Sequence, residues 1–296
     1  MDVVVPFRGE AARLDELRAG LARMQLRSGD SVVVVDNTPG RGPIGLTEEG
    51  GVTVVHAAEV ETPAFARNRG AERGSADWLV FFDADTEPLP DLLDRYFDPP
   101  PGERTALLAG GVVDEEVPAD APAAARYAYV RELMSQNETH RFGAWSFPQT
   151  ANAACRRAAF EEVGGFREEI RAGEDADLSF RLRAAGWEVE RREAAKVVHR
   201  GRQTVRGLIA QKLLHGAGGA WLDREYPGSV PARRRPGLVW WGVRTAAKGL
   251  TSAARSRDRD EALWAVLHPV ELIAYEFGRS LRNEQPAAAK REKAEA

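Results

Sequence analysis

Trp78-Leu79-Val80-Phe81-Phe82-Asp83-Ala84-Asp85 is an unbroken apolar run that stops on two carboxylates with one small residue between them. A short apolar run without alternation suits a strand buried on both faces of a parallel sheet. Side chains alternate along an extended backbone, so Asp83 and Asp85 point the same way if the strand geometry persists. In open α/β sheets, ligands gather beyond the carboxyl ends of the strands. Two carboxylates aimed at one point repel each other, and a cation between them removes that cost. A hard divalent ion, Mn²⁺ or Mg²⁺, shared with substrate phosphates suits so sparse an oxygen site. The competing reading is a plain turn in which Asp83 or Asp85 caps Thr86-Glu87-Pro88. Spacing alone does not choose between the two.

Working outward, Val3-Val4-Val5-Pro6 and Ser31-Val32-Val33-Val34-Val35-Asp36 read as two further buried strands, and residues 51–56 as another. Leu14, Leu17, Leu21 and Met24 keep a helical spacing between the first two, and Pro63 to Gly74 forms a helix before the strand of Trp78. This alternation predicts an α/β fold with a mostly parallel central sheet and helices on both faces. Ala106 to Val113 is one more strand, while Trp187–Val189 and Ala195–His199 read as two short ones. From Pro118 to Thr150 the periodicity loosens and aromatics such as Trp145 mix with polar residues, which suits either an acceptor-lining loop or ordinary packing.

The chain has 296 residues, 43% of them hydrophobic, enough for one large α/β domain with a helical extension. A net charge of −4 excludes a general nucleic-acid binder. The single cysteine, Cys155, rules out an internal disulfide and fits a reducing, cytoplasmic setting. The start of the chain shows no export pattern, and no apolar run approaches the ~20 residues a membrane span needs.

A second acidic cluster, Glu174-Asp175-Ala176-Asp177, precedes an amphipathic helix. Asp175 is a natural N-cap there, and acids favour the positive end of a helix. The same geometry holds a carboxylate ready to take a proton from an acceptor hydroxyl. His199 closes a strand and is either an ordinary surface or core histidine or a third metal ligand beside the carboxylates. Asp36 either accepts a hydrogen bond from a nucleotide base or starts the turn Asp36-Asn37-Thr38-Pro39. Arg67 either reaches a base or phosphate or sits on a solvated helix face.

In chain order, Val3-Val4-Val5-Pro6, Val33-Val34-Val35-Asp36-Asn37, Ala66-Arg67-Asn68-Arg69-Gly70, Phe81-Phe82-Asp83-Ala84-Asp85, Ala151-Asn152-Ala153-Ala154-Cys155-Arg156-Arg157, Val163-Gly164-Gly165-Phe166 and Gly173-Glu174-Asp175-Ala176-Asp177-Leu178 form a set. Over roughly residues 1–225 this set resembles the family 2 glycosyltransferases with a GT-A fold. The resemblance implies an inverting, metal-dependent transfer of one sugar from a nucleotide-diphospho-sugar of UDP, GDP or dTDP type to a hydroxyl acceptor, lipid-linked or glycan. Pro6, Phe7 and Arg8 would form the loop under the nucleotide, Asp36 would read the base and Arg67 would hold the nucleotide. Asp83 matches the carboxylate near the ribose, and Asp85 the one on the diphosphate-bound cation, with Asp83 and His199 completing the metal shell. Asp175 matches the general base; Glu174 beside it orients sugar or acceptor, Asn152 falls in the sugar subsite and Trp145 on the acceptor side.

The resemblance divides the chain into a catalytic domain over 1–225 (a nucleotide-sugar half, 1–115, and an acceptor half, 116–225), a helical extension over 226–284 and a flexible tail over 285–296. Asp36-Asn37-Thr38-Pro39 departs from the family's usual acids followed by Gly-Ser, which leaves the base open. Gln203-Thr204-Val205-Arg206-Gly207 lacks the tryptophan of processive synthases, so a single transfer is expected. A nucleotidyltransferase would open with a glycine-rich basic loop, which Pro6-Phe7-Arg8-Gly9 is not, and a non-catalytic sugar-nucleotide-binding protein would lack the acids. In residues 232–259 Arg233-Arg234-Arg235, Arg244, Lys248, Arg255, Arg257 and Arg259 surround Trp240-Trp241. That mixture suits either peripheral contact with an anionic membrane or packing within the protein.

Overall fold

A computed structural model of the chain describes residues 1–40, 47–232 and 237–285. They form two compact units, one of Met1–Val113, Ser135–His199 and the segment from Glu284, the other of Asp114–Met134 and Arg200–Asn283. The expected tail beyond Gln285 and the triplet Arg233-Arg234-Arg235 lie outside the described residues.

In chain order the first unit holds β1 (Asp2–Phe7), α1 (Ala11–Leu21), β2 (Ser31–Asp36), β3 (Thr47–Glu49), β4 (Val52–His56), α2 (Pro63–Ala71), β5 (Trp78–Phe82), β6 (Thr86–Pro88), α3 (Leu92–Arg95) and β7 (Thr105–Asp114). After α4 (Ala123–Arg131), which belongs to the second unit, come α5 (Asn137–His140), β8 (Asn152–Arg156), α6 (Arg157–Glu162), α7 (Glu174–Ala184) and β9 (Glu188–His199). The strands make one nine-stranded sheet in the order β3-β4-β2-β1-β5-β8-β7-β9-β6. Parallel pairing joins β4-β2-β1-β5, where valine-rich strands are buried on both faces. Beyond β5 the pairing turns antiparallel, with β8 against both β5 and β7 and β6 against β9.

Register decides which side chains meet at the carboxyl edge. Phe7 lies beside Asp36, Asp36 beside His56, and Phe82 beside Asn152. α2 lies on the sheet because Thr62 caps it, accepting from the Phe65 N–H at 3.2 Å, and Pro63 starts it. It lies close because residue 70 is glycine: a Cβ there would come within 2.2 Å of Val4 Cγ1. That contact holds Arg67, one turn earlier on the same helix, close against the sheet.

Two expected strands are one. β9 runs without a break from Glu188 to His199. Its middle reads as polar because an inward position carries Arg192, which is buried yet donates to Tyr96 O at 3.0 Å and Pro99 O at 3.1 Å and pairs with Glu190 at 2.6 Å.

The second unit adds α8 (Val205–Glu225), α9 (Leu238–Ser256) and α10 (Arg259–Gly278), of which α9 and α10 make up the helical extension expected over 226–284. Tyr127 on α4, Leu208 on α8 and Leu267 on α10 share a core, crossed by a buried polar lock. In it Tyr127 Oη donates to Glu271 Oε2 at 2.6 Å and Lys212 Nζ reaches Glu271 Oε1 at 2.5 Å. Among the described residues, no helix is long and apolar enough to cross a membrane.

Candidate active site

The turn after β5 is fixed by its own backbone. Thr86 donates to Asp83 O twice, from N at 3.1 Å and from Oγ1 at 2.8 Å, so Asp83-Ala84-Asp85 bends directly into β6. β6 pairs with the end of β9, setting Thr86 opposite His199. His199 Nε2 thereby stands 3.7 Å from Asp85 Oδ2, although 114 positions separate the two in the chain.

Arg67 is 3% exposed, so the solvated-face reading is replaced by its opposite. Its Nη2 donates to Asp83 Oδ1 at 2.7 Å and its Nη1 to Glu174 Oε1 at 2.8 Å. One guanidinium therefore ties the acidic turn after β5 to the acidic start of α7. Its Nε, also buried, has no hydrogen-bond partner in the protein. Burial raises the Asp83 carboxyl; Arg67 pulls it back, Asp85 and Glu174 push it further up, and His199 opposes them.

α7 begins at Glu174, with Gly173 (φ 87°) in the capping position. Asp175 is thus inside the first turn, and the N-cap expected of it falls to a glycine whose left-handed backbone suits the tight entry. Its Oδ1 accepts from the Ala176 N–H at 2.8 Å. Burial, and then the neighbouring Glu174 carboxylate, push the Asp175 carboxyl up to about 7, against the Ala176 N–H and Arg67. Asp177, the third acid, is fully buried and held by Arg181 at 2.7 Å, a structural pairing within the helix. Arg67, Asp83, Asp85, His199, Glu174 and Asp175 thus gather at one place in the first unit.

Other expected residues sit around this centre with different degrees of engagement. Asp36 is fully buried; its Oδ1 accepts from Thr38 N at 3.1 Å and its Oδ2 lies 4.0 Å from His56 Nδ1. Phe7 is buried at the end of β1, Pro6 is half-buried before it, and Arg8 reaches Glu61 at 3.1 Å. Asn152 spends its amide inside the protein, donating to Gly111 O and Ala195 O, both at 2.8 Å, and accepting from Tyr96 Oη at 2.5 Å. Both of its N–H bonds are used there, which leaves no side-chain donor for a sugar. Trp145 packs edge-on against Phe180 of α7, with ring centroids 5.0 Å apart. Arg183 of α7 donates to Ser146 O, and Gln136 Oε1 accepts from Gln149 N at 2.8 Å, so residues 135–150 are fastened to the helix that carries Asp175.

Sequence reasoning missed the bridging role of Arg67 and the part played by Asn68. The Asn68 side chain donates to Phe166 O at 2.9 Å and accepts from Phe166 N at 3.0 Å, pinning the Gly164-Gly165-Phe166 loop to α2. The signal for Arg67 was charge arithmetic: acids brought to one place need a cation, and it stands in the helix that leads into the strand before Asp83.

Among the described residues, no group of three or more His, Cys, Asp or Glu side chains forms a ready-made metal cage. Asp85 and His199 offer an oxygen and a nitrogen 3.7 Å apart, while the Oδ1 of Asp83 is taken by Arg67. Two protein ligands, with the remainder left to substrate oxygens and water, suit the hard divalent ions that bind together with phosphates.

A family model described as glycosyl transferase family 2 matches residues 2–164. A protein of Mycobacterium tuberculosis named pre-mycofactocin glycosyltransferase is 31% identical over 236 residues, covering 76% of this chain and 48% of its own length. The chain therefore spans about half the length of that relative. Glycosyltransferase AglE of Haloferax volcanii is 26% identical over 194 residues, 63% of this chain and 62% of its own. Among solved structures, a mannosyltransferase of Pyrobaculum calidifontis in complex with GDP-Man and Mn²⁺ superposes with a TM-score of 0.61 at 17% identity, covering 93% of this chain and 85% of that one. That likeness is one of fold.

Proposed function

The chain belongs to glycosyl transferase family 2 and has the GT-A fold, and from that premise we propose that it moves one sugar from a nucleotide-diphospho-sugar to an acceptor hydroxyl with inversion at the anomeric carbon. Membership sets aside the nucleotidyltransferase and binding-protein alternatives. The observation that carries the reading is the Arg67 bridge, which puts the Asp83 side and the Asp175 side of the reaction within one hydrogen-bonded cluster.

The division of labour follows from the chemistry. Asp85 and His199, with Asp83 beside them, would hold a divalent cation, Mn²⁺ or Mg²⁺, which when bound supplies neutralising charge for the departing diphosphate. Asp175 takes the proton of the acceptor hydroxyl as its oxygen attacks; a carboxyl raised to about 7 is a far better base near neutral pH than an ordinary aspartate. Glu174, fixed by Arg67, orients the sugar or the acceptor. The Arg67 guanidinium pairs with both Asp83 and Glu174, and its unused Nε is a further donor for a substrate oxygen. Pro6, Phe7, Arg8 and Asp36 are assigned to the nucleotide, the Asn152 strand to the floor of the sugar subsite, and Trp145 to the acceptor.

The test is nucleotide release and transfer from a panel of UDP-, GDP- and dTDP-sugars, with Mn²⁺, with Mg²⁺ and with chelator, for wild type and Asp175→Asn. Cation-dependent turnover that Asp175→Asn lowers by about 10²–10⁴-fold, with donor binding retained, is the expected result. Undiminished turnover in Asp175→Asn removes that residue from the role, and undiminished turnover in chelator removes the cation.

A further inference from the structure

α9 carries more exposed apolar surface than its packing uses. Its small residues face α10: a Cβ on Gly242 would lie 3.0 Å from Ile273 Cδ1, and one on Gly249 2.4 Å from Ala265 Cβ. At about 100° per residue these two positions and the buried Ala253 fall on one narrow stripe. Alongside it run Val239, Leu250, Val243 and Trp240, exposed by 55, 44, 57 and 71%. Beyond Trp240 the exposed cations Arg244, Arg255 and Lys248 line up on the side away from α10. No acidic residue occurs between Leu238 and Ser256, in a chain whose net charge is −4.

A surface helix of a monomeric protein normally shows polar side chains to water; a stripe of large apolar groups bordered by a single sign of charge marks a binding face. A second copy is a poor occupant, because a two-fold contact through this face would bring the same cations of both copies together. An anionic bilayer answers both parts of the stripe: the cations meet headgroup charge, and Val239, Val243, Leu250 and the Trp240 ring enter the boundary between headgroups and acyl chains. Tryptophan favours that depth because its ring is apolar and its N–H remains hydrated.

We propose that α9 is an in-plane membrane-binding helix that docks this protein on an anionic lipid surface. It lies on the bilayer without spanning it, and the inference holds whatever sugar or acceptor the active site takes.

The full chain is sedimented with phosphatidylcholine vesicles with and without phosphatidylglycerol, at low and high salt. Binding is expected only with phosphatidylglycerol, weakened by salt. Replacing Arg244, Lys248 and Arg255 together by Ser should weaken it roughly 10²-fold, taking about fivefold for each cation at the surface. Trp240→Ser combined with Val243→Ser should cost at least about tenfold. All these side chains are exposed, so unchanged melting curves show that the variants remain folded. No vesicle binding, equal binding to both lipids, or binding indifferent to either variant overturns the proposal. A concentration-dependent dimer that Trp240→Ser dissolves would also overturn it, giving the face to a second copy.

Discussion

Replacing Arg67 by Met removes the cation that joins both acidic motifs while keeping most of the side-chain volume. Arg67 is 3% exposed and gives hydrogen bonds of 2.7 and 2.8 Å to Asp83 and Glu174. Breaking a buried ion pair by deleting one partner costs about 3–5 kcal/mol. The Asp83 side chain keeps 32% of its exposure and Glu174 11%, so water softens the loss and the lower end, about 3 kcal/mol, applies. The deficit should depend on pH with a definite sign. Asp83 and Asp175 are already raised, and losing Arg67 raises them further. A carboxyl raised by folding contributes its stability at acid pH and loses it as pH climbs through the folded value. The variant should therefore fall further below wild type at pH 8 than at pH 5. Urea unfolding at the two pH values measures this, and adding Glu174→Gln should restore part of the loss. A deficit below about 1 kcal/mol at pH 8, or one that grows toward acid, would refute the argument that Arg67 acts by neutralising buried carboxylates.

Three further outcomes follow from the same geometry. The acid limb of kcat/KM should bend near pH 7, because Asp175 must be ionised to take a proton and its carboxyl sits at about 7; Asp175→Asn should abolish the limb and lower kcat by about 10²–10⁴-fold, as read in a pH–rate series. Asp85→Ala and His199→Ala should each weaken Mn²⁺-dependent donor affinity in calorimetry while leaving metal-independent donor binding largely intact. Asn152→Ala should cost about 2–3 kcal/mol in thermal unfolding, because it strands the Tyr96 hydroxyl and the Gly111 and Ala195 carbonyls in the core.

The parallel half of the sheet was legible because valine runs announce strands buried on both faces, and the acids closing two of them mark the carboxyl edge. The antiparallel half was not. β6 is three residues long and contains Pro88, below any threshold of pattern, yet it is the element that brings His199 to Asp85. β9 hid behind the charged look of Glu190-Arg191-Arg192-Glu193, where an inward arginine satisfied by two carbonyls replaces an apolar side chain. At the site, Asp83, Asp85, Glu174 and Asp175 were picked from spacing. What spacing could not give was the cross-connection: a hydrogen bond over 107 positions between Arg67 and Glu174 leaves no local trace. The capping alternative for Asp175 fails for a comparable reason, since Gly173, two residues before it, acquires its meaning as the cap only through a positive φ.

The pairing of Thr86 with His199 has a consequence for how this site tolerates insertions and deletions. Adding or removing one residue within β9 between Arg192 and His199 would rotate the imidazole to the opposite face of the sheet, whereas a change of two would return it to the same face one repeat along. Length changes in that strand should therefore be filtered by parity, and an alignment of natural variants should show odd steps expelled into the loop before Glu188 or the one after His199.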